Sequence, residues 1–439
     1  MQLIIFPILL LTLFLRLISL NQSLWLDEAT TSLASKMSLA DFFTGFMPGD
    51  FHPPLYYLLM KGWGSIFGLS EISLRIPSVI FGVLTIYFIY LIAKKVFDVK
   101  TAGIASVLAA TSGLLIYYSQ EARMYSLVVL LVTALFYLFL EKRWLLFSIL
   151  IPILGMTDYV ALLVVPLFLI FGREERKKVL LCFIPAVLVF ALWSPIFLKQ
   201  ISGGLGVEGG NWWNILGVLS WKNLGLIPVK FILGRISFDN KIIYAGISIV
   251  SVLLYSYLLT AGRPLKKNSS KLILGWLFIP VLLGVLISVK IPVLYYFRFI
   301  FCLPALYILA ARGISSLSGK FYLLFLSAVI LINISSSLIY LFDTRFKREN
   351  WRGIAEVIGE STVVYPANSQ KEALIYYGKG KQIVYFSEFK GNVSNVWLSR
   401  YVWEVFDQGD LARLKIEKLG YNKVQEVNLN GVEFWKYIK

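Results

Sequence analysis

The sequence contains only one histidine and two cysteines in 439 residues. Cys182 and Cys302 both lie inside apolar runs, so the chain offers neither a disulfide framework nor a cysteine zinc site. The single histidine, His52, excludes a metal centre built from several imidazoles. Charged residues make up only 15% of the chain, which is too few to cover the surface of a soluble protein of this length.

Apolar residues, by contrast, are abundant. They make up 58% of the chain, and the mean hydropathy is +0.74. This composition predicts a multi-pass membrane protein. The formal net charge is +17, but much of the excess lies in short loops between apolar runs, where basic residues mark the cytoplasmic side of a membrane. The charge therefore does not indicate nucleic acid as a partner.

Apolar runs of membrane-helix character occur throughout the first three quarters of the chain. About eleven are counted, and that number is uncertain by about two. They lie near 2–20, 76–93, 102–118, 125–140, 144–156, 160–171, 179–198, 242–260, 272–289, 297–311 and 321–342. The fifth and sixth are short, and are read as either a re-entrant pair or tilted helices. The first lacks the features of a cleavable signal peptide and is predicted to be a membrane helix.

The loop charges predict the orientation in the cell membrane. With a cytoplasmic N-terminus, five short basic loops face the cytoplasm, and the long loops 21–75 and 199–241 face outward. The tail 345–439 alternates short β-like and helix-like runs, which predicts a small extracytoplasmic α/β domain. The predicted fold is therefore an all-α polytopic membrane module over residues 1–344 with a C-terminal α/β domain over 345–439.

Two adjacent acids, Asp27 and Glu28, follow the first apolar run directly. Adjacent carboxylates repel, and the repulsion is costly near a low-dielectric boundary. Asp27 is predicted to act as a general base or to hold a divalent cation, with Glu28 as a second possible ligand. The alternative is a helix cap or a solvated loop acid. His52 opens the run HPPLYY in the same outer loop. A lone histidine more often makes a structural hydrogen bond than takes part in catalysis.

Two further polar clusters are predicted on the same outer side. Glu121 and Arg123 occupy the turn YYSQEARMY between two spans, where a charge tends to face a cavity or to form a plain salt-bridged turn. Arg298, in YYFRF, suits a phosphate because a guanidinium matches phosphate oxygens, although an arginine at a helix end often only reaches to lipid headgroups. Trp212, Trp213 and Trp221 suit an interfacial belt better than a lipid or sugar groove.

With these motifs in hand, the chain resembles the GT-C membrane glycosyltransferases, most of all the branch of the protein O-mannosyltransferases and the bacterial aminoarabinose (lipid A) transferase. The resemblance covers roughly the first 350 residues through LWLDE, HPPLYY, RIPSVIFG, YYSQEARMYSL, YYFRF and WRGIAEVI, in that order. It implies a dolichyl- or undecaprenyl-phosphate donor carrying one sugar. The sugar would pass to a glycan, lipid or protein acceptor on the outer face, usually with inversion.

The resemblance also implies roles for individual residues. Asp27 matches the family's base, with Glu28 beside it, and Glu121 matches a second acid where many relatives have Asp. Arg298 matches an arginine that contacts the donor phosphate, and Arg123 is placed with it. The donor and acceptor pocket is predicted to contain His52, Tyr56, Tyr125 and Tyr296. No cofactor is implied with certainty, and a divalent cation is left open.

Two other classes of function compete with a transferase. A transporter or flippase for lipid-linked sugars predicts paired repeats and broken helices near the midplane, and the sequence shows neither. A non-catalytic lipid-binding scaffold predicts that Asp27 is dispensable. The clustering of ionisable residues at one face favours the transferase.

Overall fold

The computed structural model describes residues 5–206, 217–262 and 267–439. Trp212 and Trp213 lie outside these ranges. The helices of the membrane part are α1 (Ile5–Leu17), α2 (Leu26–Lys36), α3 (Leu39–Asp41), α4 (Leu55–Phe67), α5 (Glu71–Val96), α6 (Val99–Ala110), α7 (Gly113–Ser119), α8 (Tyr125–Leu140), α9 (Trp144–Gly155), α10 (Val165–Phe171), α11 (Arg176–Cys182), α12 (Ile184–Gly206), α13 (Trp221–Leu233), α14 (Lys241–Ala261), α15 (Asn268–Ile287), α16 (Leu303–Ser316) and α17 (Gly319–Phe342). A π-helix (Phe42–Phe46) and 3-10 segments (Met47–Gly49, Val160–Val164, Arg173–Glu175, Tyr296–Cys302, Thr344–Phe346) complete it.

Within the described ranges, every apolar run predicted from the sequence overlaps helical structure. Within the described ranges, six segments are long and apolar enough to cross a membrane, and a bent pair, α6 with α7, makes a seventh. The four shorter apolar helices are Ile5–Leu17, Tyr125–Leu140, Trp144–Gly155 and Val160–Phe171. The multi-pass helical class is thus confirmed, while the number of eleven crossings stays a prediction.

The run 102–118, predicted as one span, is broken by 61° between α6 and α7. A helix that breaks inside the bundle leaves carbonyl groups without their usual N–H partners. Arg16 of α1 supplies one replacement, since its Nη1 donates to the Ala110 carbonyl at 3.2 Å, and its Nε donates to Ser119 Oγ at 3.1 Å. A buried arginine in the first apolar helix therefore secures the break.

The C-terminal part contains the predicted sheet. Its strands are β1 (Thr362–Tyr365), β2 (Ile383–Tyr385), β3 (Asn395–Ser399), β4 (Asn422–Leu429) and β5 (Val432–Ile438), in the order β2-β1-β3-β5-β4. β1 pairs in parallel with β2 and β3, whereas β5 pairs antiparallel with β3 and β4. Its helices are α18 (Trp351–Ile358), α19 (Glu372–Tyr376), α20 (Trp403–Phe406) and α21 (Leu411–Lys418). Apolar side chains cover both faces of the sheet.

The first outer loop packs directly on this domain. Ala29 of α2 is buried in the same apolar cluster as Trp351 and Phe434. The Leu24 N–H donates to the Tyr377 hydroxyl at 2.8 Å. The segment SLADFFTGF of the same loop forms α3 and the π-helix, and Phe42 is buried in a separate apolar cluster of the protein. Because of these contacts, the beginning of α2 has a fixed position.

Candidate active site

Asp27 and Glu28 occupy the first turn of α2. Acids are favoured there because the first N–H groups of a helix lack partners and carry partial positive charge. The Trp25 N–H, just before the helix, donates to Glu28 Oε2 at 3.4 Å. Consecutive helical residues point about 100° apart, because 3.6 residues make one turn. The two carboxylates therefore diverge, which relieves the repulsion that their adjacency suggests.

Glu28 is completely buried. Its two oxygens accept hydrogen bonds from Arg75 of α5, at 2.8 Å from Nε and 2.5 Å from Nη2. The Ala122 N–H, in the turn after α7, donates to the same carboxylate at 2.8 Å. Burial opposes the charged form, but the Arg75 guanidinium holds the pKa of the Glu28 carboxyl below its ordinary value. The sequence predicts Glu28 beside the base, whereas the structure places it behind α2, where it joins three segments.

Asp27 points the other way and keeps 36% of its side chain exposed. Its Oδ2 lies 3.6 Å from Nη2 of Arg123, which is buried. Arg123 also donates to the Tyr57 hydroxyl at 3.2 Å and lies 3.3 Å from a ring nitrogen of His52. The structure thus brings Asp27, Arg123 and His52, three residues that the sequence analysis assigns to the site, together with Tyr57, which it does not assign.

An acid that the sequence analysis does not single out, Asp50, orients His52. The Asp50 Oδ1 lies 3.2 Å from His52 Nδ1. Burial opposes the ionisation of Asp50, but the hydrogen bond and charge of His52 lower its pKa to about 2. Gln200 of α12 donates to the His52 carbonyl at 3.1 Å and to the Met47 carbonyl at 3.0 Å, which fixes this end of the outer loop.

Glu121 lies deeper than Asp27 and is also buried. Its Oε2 is 3.5 Å from Nη1 of Arg348 and accepts no hydrogen bond. Burial raises the pKa of Glu121 to about 7, against the opposing charge of Arg348. Arg348 follows the last long helix and also donates to the Gln120 carbonyl at 3.0 Å. Glu121 is therefore an acid that can hold or release a proton near neutral pH.

Three tyrosines that pack against one another, Tyr117, Tyr118 and Tyr125, form what we call the tyrosine wall. The Tyr118 ring lies 4.9 Å from Tyr117 and 4.8 Å from Tyr125. Arg235, just after α13, has its guanidinium 4.6 Å from the centre of the Tyr117 ring. Arg235 is exposed and forms no ion pair within the described ranges, so its guanidinium is accessible to a ligand. The sequence analysis misses Arg235, although its place after the Gly234 turn in an outer loop is a usable signal.

The other predicted residues border the same region. Tyr125 lies within range of the charges of Asp27, Arg123, Glu121 and Arg298. Arg298 is only partly exposed, and its Nη1 donates to the Pro292 carbonyl at 2.8 Å.

The two remaining pocket tyrosines, Tyr56 and Tyr296, are buried. Among the described residues the Tyr56 hydroxyl has no hydrogen-bond partner, whereas the Tyr296 ring packs 5.0 Å from Tyr295. Outside this group, Trp221 opens α13 and is 89% exposed, as expected of an interfacial belt.

A metal ion would have few ligands here. Across the described ranges, no three acidic, histidine or cysteine side chains are grouped so that they could hold one. Glu28, predicted as a possible partner of Asp27 in such a site, already accepts its bonds from Arg75 and the backbone. Asp27 and Asp50 are the acids near Arg123 that a cation could meet.

Comparison with solved structures identifies the architecture. The chain superposes on ArnT from Cupriavidus metallidurans bound to undecaprenyl phosphate with a TM-score of 0.62, over 99% of this chain and 97% of that chain, at 11% identity. The chain has the GT-C fold. AglB from Archaeoglobus fulgidus, in complex with an inhibitory peptide and a dolichol-phosphate, gives a TM-score of 0.56 over 98% of this chain and 74% of that chain, at 13% identity.

Comparison of the sequence with family models finds a match for one part of the chain. Residues 51–198 match the family model described as dolichyl-phosphate-mannose-protein mannosyltransferase. No curated protein matches the chain by sequence. The matched range contains His52, Glu121 and Arg123, and it begins after Asp27. The predicted resemblance to GT-C membrane glycosyltransferases is confirmed.

Proposed function

We propose that the protein transfers a single sugar from a polyprenyl-phosphate donor to an acceptor on the extracytoplasmic face of the cell membrane. The observation that carries the proposal is Asp27, a partly exposed carboxylate beside the buried Arg123 in a GT-C fold. One fold can serve enzymes with different substrates, so the fold does not specify the sugar or the acceptor. In this proposal the N-terminus lies in the cytoplasm and the C-terminal domain outside, as the loop charges predict.

In this reaction Asp27 is the general base. An acceptor hydroxyl gives its proton to Asp27 while its oxygen attacks the anomeric carbon. The bond from that carbon to the phosphate oxygen breaks, and its electron pair leaves with the polyprenyl phosphate. The contact with Arg123 and the fixed start of α2 hold the base in place. Positioning the base, acceptor and donor together supplies the proximity effect.

The leaving phosphate needs positive charge near it. Arg235 is the most available group, since it is exposed and unpaired within the described ranges. Arg298 is the second, near Tyr125. Arg123 sits between the base and the tyrosine wall, where it can act on both. Glu28 and Arg75 act indirectly, by fixing α2.

The test follows the release of polyprenyl phosphate by purified protein in detergent. The donors are undecaprenyl- and dolichyl-phosphates that carry mannose or 4-amino-4-deoxyarabinose, each with EDTA or Mn²⁺. Asp27→Asn is expected to lower release by about 10²–10⁴-fold, the usual contribution of a general base. The matched control is Asp239→Asn, because Asp239 is 94% exposed and forms only a surface ion pair with Arg345.

Release that survives Asp27→Asn would keep the reaction and overturn the assignment of the base. Donor binding without release from any donor would instead favour the transporter or the scaffold. Activity that EDTA removes and Mn²⁺ restores would assign a cation to Asp27, with Asp50 as the nearest candidate for a second acid.

A further inference from the structure

The C-terminal domain places a constrained carboxylate next to the proposed active site. The Glu349 Oε2 accepts a hydrogen bond from Trp351 Nε1 at 2.8 Å, and its Oε1 accepts one from the Tyr401 hydroxyl at 2.8 Å. The Trp351 and Tyr401 rings meet edge to face, with centres 5.0 Å apart. Each oxygen thus has one donor and at least one lone pair left, and Glu349 and Tyr401 both stay partly exposed.

This carboxylate lies within electrostatic range of the base. The charge of Asp27 acts on both Glu349 and Tyr401, and Ala29 of the same helix is buried against Trp351. Burial raises the pKa of the Glu349 carboxyl in spite of its two hydrogen bonds. The charge of Arg235 acts on Glu349, but within the described ranges the carboxylate forms no ion pair. A half-buried acid without an ion pair is costly at a position that needs only packing. Such costs are typical of ligand sites.

The backbone beside Tyr401 is strained. Val402 has φ 46° and ψ 32°, the left-handed region, which is unfavourable for a β-branched residue. This change of chain direction at Val402 lets Tyr401 reach Glu349. Trp403, the next residue, stacks on Arg400 with its ring centre 3.8 Å from the guanidinium. Asp410 pairs with Arg400 and fixes the other side of the turn. Strain of this kind persists where the surrounding structure enforces it, and it is concentrated at functional sites.

We propose that Glu349 and Tyr401 recognise the acceptor, as a site for the hydroxyl groups of a sugar ring. A carboxylate oxygen accepts hydrogen bonds from such hydroxyls, and the exposed part of the tyrosine ring offers an apolar surface beside it. The inference rests on the proposed function, because it makes the sugar ring part of the acceptor that Asp27 deprotonates. Glu349 and Tyr401 determine specificity and take no proton from the reacting oxygen.

Binding is tested first, without turnover. Saturation-transfer NMR is recorded on the full-length protein in lipid nanodiscs with methyl α-D-mannopyranoside, methyl β-D-glucopyranoside and methyl β-D-galactopyranoside. The wild type is expected to bind at least one of them. Glu349→Gln is expected to weaken that binding by roughly tenfold, as loss of a hydrogen bond to a charged group does. Tyr401→Phe is expected to weaken it less, because it keeps the ring and removes only the hydroxyl that orients Glu349. Glu404→Gln, an exposed acid in the same segment, serves as the matched control.

The second measurement separates this inference from the proposed function. In the sugar-transfer assay, Glu349→Gln is expected to raise the KM for a glycoside acceptor and to leave donor hydrolysis by water within about twofold of the wild type. Absence of glycoside binding by the wild type, or equal binding by all variants, overturns acceptor recognition. An equal loss of donor hydrolysis assigns Glu349 to the donor sugar and also overturns it. Glycoside binding that depends on Glu349, in a protein that releases no polyprenyl phosphate, refutes the transferase and retains the sugar site.

Discussion

Replacing Arg75 should destabilise the protein more than replacing its partner, Glu28. In Arg75→Leu, the buried carboxylate of Glu28 loses both guanidinium contacts and keeps only the Ala122 and Trp25 N–H groups. The change also removes the donors to three backbone carbonyls, those of Leu20, Gln22 and Ser23. Breaking a buried ion pair on one side costs about 3–5 kcal/mol, because a buried charge is left uncompensated.

Glu28→Gln should cost less, about 1–3 kcal/mol. Arg75 would then keep its three carbonyl acceptors, and the glutamine would keep the volume and one acceptor oxygen. The order of the two variants is therefore part of the prediction. If Glu28 were itself the base, Glu28→Gln would lower turnover by the 10²-fold or more expected of such a group, with the stability nearly unchanged.

The chain contains its own reporter for this experiment. Its only two thiols, Cys182 and Cys302, are both free and buried, so a fluorogenic maleimide reacts with them as the protein unfolds. Thermal unfolding in detergent is expected to shift to lower temperature for both variants, and further for Arg75→Leu. Unchanged unfolding of Arg75→Leu, or a larger loss for Glu28→Gln, would refute the electrostatic reasoning.

Three further predictions concern single positions. Burial raises the pKa of Glu121 from 4.5 to about 7. The folded protein therefore binds this proton more tightly than the unfolded chain, and the stability that the proton gives is present at low pH and lost as the pH rises to about 7. Glu121→Gln should reduce the pH dependence of the unfolding free energy between pH 5 and 8 by about 3 kcal/mol. Arg235→Gln should raise the donor KM by roughly tenfold, and an unchanged donor KM, equal to that of the exposed control Arg345→Gln, would exclude Arg235 from phosphate binding. Gly217→Ala should lower thermal stability and turnover, because φ is +91° and a Cβ would lie 2.2 Å from the Pro292 carbonyl oxygen; wild-type behaviour would show that this loop adapts.

Much of the fold could be predicted because membrane helices and loop charges leave strong local signals. The apolar run 321–342 coincides closely with α17, and the runs STVVYP and NVWLSRY contain β1 and β3. The break between α6 and α7 could not be predicted in the same way. Thr111 and Ser112 interrupt the helix just before Gly113, a weak local signal inside an otherwise apolar run, and Arg16, which supports the break, lies 94 residues from Ala110.

The candidate site shows the same limit. Asp27, His52 and Arg123 each stand in a recognisable motif, and the structure brings them together. The different environments of Asp27 and Glu28 depend on Arg75, which is 47 residues away, and no local pattern distinguishes the two acids. Arg235 resembles other loop cations until the Tyr117 ring is seen beside it. Pairings between distant residues are tertiary information, which is why motif reading finds the participants and misses their partners.

The segment after the last long helix has a consequence for biosynthesis. Arg348 contacts Gln120, and the Arg348 N–H donates to Gln22, which lies 326 residues earlier. Arg352 likewise donates through its backbone N–H to the Ser23 hydroxyl. These contacts cannot form until the ribosome has synthesised the last long helix and residues 348–352 after it. During synthesis, Gln22 and Ser23 therefore gain these partners only after almost the whole membrane part has been made, whereas Glu28 can meet Arg75 much earlier.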